Sequence, residues 1–145
     1  MSDFKNIHIG KMIEKKVTEN GMAISRICNF IKCTEKEITD MYTSKSMDTE
    51  LLLRWSKLLE YDFFRLYSQH LILYAPQGNS LNQGKSKEKI ISSLPQFRKN
   101  IYTKELIDFI LEMISTGEKS RIEVIKEYGI PKTTLYKWID KYNIR

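Results

Sequence analysis

The chain has 145 residues, with 24 Lys and Arg against 18 Asp and Glu for a formal net charge of +6; that is room for one domain or two small ones, and a pI near 9.2 points to an anionic partner. No apolar run approaches the roughly 20 residues that span a bilayer, and an early Asp3 with no apolar core behind it predicts no secretory leader. The two cysteines, Cys28 and Cys33, and the two histidines, His8 and His70, lack the paired spacing of a zinc site, so reduced thiols, a cytoplasmic location, no metal and no cofactor are expected.

Residues 7–74 are predicted to form five helices. The first runs from about Ile7 to Asn20, with Ile9, Met12, Ile13 and Val17 on one side and a stop at Gly21. A short second helix covers Ile24 to Ile31. The third begins at Thr34, where Thr34 and Glu37 match a capping box, and continues to about Tyr42. Beyond the polar stretch Thr43 to Asp48 come a fourth helix, Thr49 to Leu59, and a fifth, Phe63 to Tyr74, closed by Pro76.

This order resembles the phage-repressor type of helix-turn-helix domain, through Ile9-Gly10-Lys11-Met12-Ile13, Met22 to Ile38, and Leu51 to Glu60. Two residues depart from that pattern: Lys32 stands where the family turns on glycine, and Ile24 where it often carries a glutamine. The helix corresponding to the family's DNA reader, Thr34 to Tyr42, holds three acidic groups and one lysine. Carboxylates facing phosphates oppose binding, so a structural or partner-binding role is expected here, with Lys36, Thr39 and Lys45 as the residues that could still reach DNA.

In the fifth helix Phe63, Phe64, Leu66, Tyr67, Leu71, Ile72, Leu73 and Tyr74 surround the axis. A helix apolar all round has to be buried all round, which predicts homodimerisation through Phe63–Tyr74. The alternative is that the first helix and the linker cover both faces within one chain. Ala75 to Asn100 then lacks apolar periodicity in its first half and carries Lys85, Lys87, Lys89, Arg98 and Lys99 against Glu88. It reads as a flexible basic linker in which Arg98 and Lys99 are candidate DNA contacts, or as a plain spacer. Leu94, Pro95 and Phe97 are expected to pack onto the C-terminal helices.

The C-terminal pattern has three helices. Thr103 caps the first, with Leu106, Phe109, Ile110 and Met113 as its buried stripe. Ser120 and Glu123 match a capping box for the second, whose apolar face is Val124, Ile125 and Tyr128, and Gly129 supplies the left-handed stop. The last helix opens at Pro131 and interleaves Lys132, Thr133, Thr134, Tyr136, Lys137 and Lys141 with Leu135, Trp138 and Ile139. Trp138 is expected to be a core anchor.

Charge follows the same division: residues 1–75 hold 11 basic and 10 acidic side chains, residues 76–145 hold 13 and 8. The run Glu127-Tyr128-Gly129-Ile130-Pro131-Lys132-Thr133-Thr134-Leu135-Tyr136-Lys137-Trp138 resembles the helix-turn-helix of insertion-sequence transposases and small transposase-associated proteins. The resemblance implies DNA binding without strand transfer, and a catalytic transposase subunit as a candidate partner. In a unit of this kind the first turn of the last helix enters the major groove. That places Lys132, Thr133 and Thr134 at base edges, Tyr136 and Lys137 one turn further on, and Lys141 toward phosphate; the alternative for each lysine is a solvated helix face.

The expected architecture is therefore all-α: a repressor-like five-helix domain over 1–75, a basic linker over 76–100 and a three-helix reader over 101–145. No acidic triad domain, glycine-rich phosphate loop or nucleophile beside a base is visible, so no enzymatic activity is expected. Three functions fit: a transposase-associated protein binding element ends or an operator, a regulator of a chromosomal operator, and an interaction adaptor that has lost DNA binding.

Overall fold

The computed structural model describes residues 4–75, 92–95 and 101–142, and every regular element among them is a helix. In chain order these are α1 (Ile9–Asn20), α2 (Ile24–Ile31), α3 (Glu35–Thr43), α4 (Thr49–Leu59), α5 (Phe64–Tyr74), α6 (Lys104–Ser115), α7 (Arg121–Tyr128) and α8 (Lys132–Lys141). The described residues fall into two compact units whose boundary lies between Ser68 and Gln69, inside α5, where the sequence had suggested residue 75.

Local chemistry sets the helix ends. The Asp48 carboxylate accepts from the N–H groups of Glu50 and Leu51 at 2.8 and 3.3 Å and starts α4. Thr34 with Glu37, and Ser120 with Glu123, form complete reciprocal capping boxes at α3 and α7. Thr103 caps α6 by accepting from Leu106 N–H at 3.3 Å. Pro131 sits at the N-cap of α8, one residue before the helix rather than inside it.

In the first unit, α1 packs on α3 and α4, and α2 on α3 and α4. Ile9, Ile13, Ile27, Ile31, Ile38, Leu52, Trp55, Leu58, Leu59 and Phe63 form one core, each side chain contributing on the order of 1.5–3 kcal/mol by leaving water. The first amides of α1 are satisfied from another part of the chain: Ile9 N–H donates to Lys45 O at 3.0 Å and Gly10 N–H to Ser44 O at 3.1 Å. That approach requires glycine, because a Cβ on residue 10 would overlap the carbonyl oxygens of Met41, Ser44 and Tyr42. The Arg54 guanidinium donates to Phe30 O at 2.6 Å, closing the C-terminal end of α2.

Cys28 and Cys33 are both free and half-buried at the end of α2, where Lys32 N–H and Cys33 N–H each donate to Cys28 O, at 2.9 and 3.3 Å. Burial pushes the Cys33 thiol up, reinforced by Cys28 and Glu37 and opposed by Arg54, so it stays protonated at neutral pH.

In the second unit, α8 packs on both α6 and α7. Its core is Leu106, Ile110, Leu111, Met113, Val124, Tyr128, Ile130, Leu135 and Ile139. The Tyr128 hydroxyl donates to Met113 Sδ at 3.8 Å, and burial pushes its phenol up. Gln69, only 1% exposed, ties the C-terminal part of α5 to the start of α6. Its Nε2 donates to Ile101 O at 2.7 Å, and its Oε1 accepts from both the N–H and the hydroxyl of Thr103 at 3.2 Å each.

Several expectations change here. Phe109 is half-buried while Leu111, unassigned by the stripe, is buried. Leu94 is 72% exposed and Pro95 is also exposed, so neither packs as expected; Phe97 lies outside the described residues. The fifth helix is not apolar on every buried side: Gln69 takes an inner position beside Ile72 and Leu73, while Leu71 and Tyr74 are exposed. Among the described residues no helix is long and apolar enough to cross a membrane.

Candidate functional site

Two helix–turn–helix segments share one register. Aligning α2–α3 with α7–α8 pairs the buried residues Ile27 with Val124, Ile31 with Tyr128 and Ile38 with Leu135. Each turn is three residues long and opens with a left-handed residue, Lys32 at φ 63° and Gly129 at φ 63°. An apolar residue follows, Cys33 or Ile130, and then the N-cap of the second helix, Thr34 or Pro131. The backbone is repeated; the outward side chains are not.

On α8 the inward positions are Leu135 and Ile139, and the exposed arc is Lys132, Thr133, Tyr136, Lys137, Asp140 and Lys141. Thr134 is half-buried at the margin. The structure thus gathers five of the six α8 candidates on one surface. Asp140 is the one carboxylate there, and it lies about 10 Å along the axis from Thr133 at 1.5 Å per residue. The proline N-cap offers no side-chain acceptor to the first amides of α8. Arg98 and Lys99 lie outside the described residues.

Trp138 is a correction. It is half-buried rather than a core anchor, with its ring edge-on to Tyr102 at 5.0 Å between centroids and 77° between planes. The core positions of α8, Leu135 and Ile139, both lie to one side of it around the helix, about 60° and 100° away at 3.6 residues per turn, so the ring lies at the rim of the apolar face.

Arg121 belongs to no motif in the sequence pattern, yet it borders this surface. Its guanidinium lies 5.5 Å from the centroid of the Tyr136 ring, and Lys132 Nζ lies 5.7 Å from the same centroid. A cation on the first turn of α7 is thereby joined to the α8 face, within the range of cation–π attraction. Periodicity along one helix cannot reveal a partner on another. Lys119 is different: its ammonium is bound to Glu127 Oε2 at 2.5 Å, and that hydrogen bond raises its pKa.

On α3 the corresponding arc is Glu35, Lys36, Glu37, Thr39, Asp40 and Thr43. Glu37 is occupied by its own capping box, donated to by Thr34 N–H at 2.7 Å. Glu35 and Asp40 remain as outward charges that would repel a polyanion.

No family model, curated protein or solved structure matches this chain.

Proposed function

We propose that the chain is a non-catalytic, sequence-specific double-stranded DNA-binding protein of the transposase-associated type, with α8 as its reading helix. The observation that carries this is the exposed arc of α8: Lys132, Thr133, Tyr136, Lys137 and Lys141 are presented together, with the single carboxylate, Asp140, displaced toward the far end. A groove-binding helix needs donors for phosphates and base edges and few acids in its first turns. Thr133 and Lys137, one turn apart, suit base edges, and Lys141 suits phosphate.

A non-catalytic role is supported by how the carboxylates are used. Glu37 and Glu123 complete capping boxes, Asp48 caps α4, and Glu127, Asp62 and Glu19 pair with Lys119, Arg65 and Lys16. Pairing of two copies through α5 would set two readers side by side. Its support is the two exposed apolar residues of α5, Leu71 at 57% and Tyr74 at 44%, three residues apart on one side of the helix. The protein would act at the nucleoid in the cytoplasm, at element ends beside a catalytic transposase or at a chromosomal operator. Both targets use the same contacts.

The adaptor reading draws on one observation, the acidic outward face of α3, which fits a basic partner better than DNA. Selection of bound duplexes from a random library at near-physiological salt, with the full chain and with Lys137→Glu, separates the two. Enrichment of one motif that the variant loses supports α8 as reader. No enrichment by the wild-type chain rejects DNA reading in favour of the adaptor.

A further inference from the structure

We infer that Arg121 of α7 joins Lys132 and Tyr136 of α8 in a pincer for one DNA phosphodiester, so that this corner of the second unit grips the backbone while Thr133 and Lys137 face the bases. This rests on the DNA-binding reading and divides its surface. It also reassigns Lys132, which sequence position alone had placed among the base readers.

Three observations converge on it. First, the two cations come from different helices yet lie 5.5 and 5.7 Å from the centroid of a single ring, that of Tyr136. Second, among the described residues neither has a carboxylate within ion-pair distance. The ion pairs there are Lys16–Glu19, Arg65–Asp62 and Lys119–Glu127, so Lys119, two places before Arg121, is neutralised and Arg121 is not. Two like charges gathered around one aromatic ring repel each other, and an anion bound to both offsets that repulsion. A phosphodiester is the anion that suits them: the guanidinium can grip two of its oxygens, the ammonium can bind a third lone pair, and both form charge-assisted hydrogen bonds. Third, the first unit supplies an internal control. In the shared register Ile24, Glu35 and Thr39 stand where Arg121, Lys132 and Tyr136 stand. All three members are missing together from the copy whose second helix is acidic.

The ring's part is positional. Tyr136 is 37% exposed and its ring lies within cation–π range of both cations, a contact that phenylalanine could make equally well. The pincer therefore predicts that the ring matters more than the hydroxyl.

The test is a salt series of equilibrium binding by the full chain, using a duplex selected from the random library and a scrambled duplex of the same length. Arg121→Gln is expected to weaken both by on the order of tenfold and to lower the slope of log affinity against log salt by about 1. Arg121→Lys should restore most of the slope, and Tyr136→Leu should weaken binding more than Tyr136→Phe does. Thr133→Ala should weaken the selected duplex alone. Thermal melting of each variant confirms that the fold is kept. If Arg121→Gln leaves affinity and slope unchanged while the wild-type chain binds DNA, the pincer is wrong and the DNA reading stands. If Arg121→Gln weakens only the selected duplex, Arg121 reads a base and the pincer is again wrong. If the wild-type chain binds neither duplex, both readings fail.

Discussion

The two helix–turn–helix segments have the same backbone plan and opposite surfaces. Ile27, Ile31 and Ile38 match Val124, Tyr128 and Leu135 in burial, and Lys32 matches Gly129 in its left-handed turn. Yet α3 turns Glu35 and Asp40 outward where α8 turns Lys132 and Lys137. Apolar positions specify the supersecondary structure, and exposed positions, which contribute little to folding, are free to specify the partner. Shared layout is thus no argument for shared binding.

The largest effect should come from the paired core positions. Ile38→Ala and Leu135→Ala each remove a fully buried side chain and should cost about 2–5 kcal/mol, read as loss of the melting transition of the unit concerned. A cost under about 1 kcal/mol at either site would break the equivalence of the two segments. Next, Gln69→Leu keeps the volume roughly but leaves Ile101 O and Thr103 N–H without their partner; a loss of about 1–3 kcal/mol is expected in chemical denaturation. The rim position should be milder: Trp138→Ala should cost less than Leu135→Ala, since its ring is only partly buried.

Exchanging the surfaces sharpens the contrast. Glu35→Lys with Asp40→Lys should strengthen binding of the full chain to random DNA and steepen its salt dependence, whereas Lys137→Glu should do the reverse, each by roughly tenfold at low salt. Melting temperatures should barely move. At the turns, Lys32→Gly should stabilise by up to about 1 kcal/mol and Gly129→Ala should destabilise by a similar amount, because only glycine is free of Cβ strain at a left-handed position.

The smallest effect concerns pH. The Ser120 N–H and hydroxyl hold the Glu123 carboxyl below its ordinary pKa. A depressed folded-state value means that this capping contribution is complete above the unfolded carboxylate range and is lost as pH falls through the folded value. Acid titration of α7 helicity should therefore be flatter in Glu123→Gln than in the wild type.

Helix existence and most helix ends were legible from residue order. Thr34 with Glu37, Ser120 with Glu123, Thr103, Gly21 and Gly129 all act where their spacing predicts, since an N-cap side chain accepts from an amide three residues on and a C-cap glycine supplies the left-handed turn. The candidate site was legible in part. Spacing assigned Lys132, Thr133, Thr134, Tyr136, Lys137 and Lys141 to the groove-facing side, of which Thr134 lies half-buried at the margin, and it favoured Trp138 as core and overlooked Arg121. An amphipathic pattern shows which side of a helix is apolar without showing what lies opposite its margins.

By itself the sequence determined an all-helical chain of eight segments, two of them ending in a tight turn before a second helix, because propensity, caps and 3.6-residue periodicity act over a few neighbours. Only the tertiary structure decided that Gly10 must admit three carbonyls, that Gln69 is buried against Ile101 and Thr103, and that Tyr136 collects cations from two helices. Those pairings join residues separated by a turn, a helix or a linker. Their energies depend on which surfaces meet, a property that no local window of residues contains.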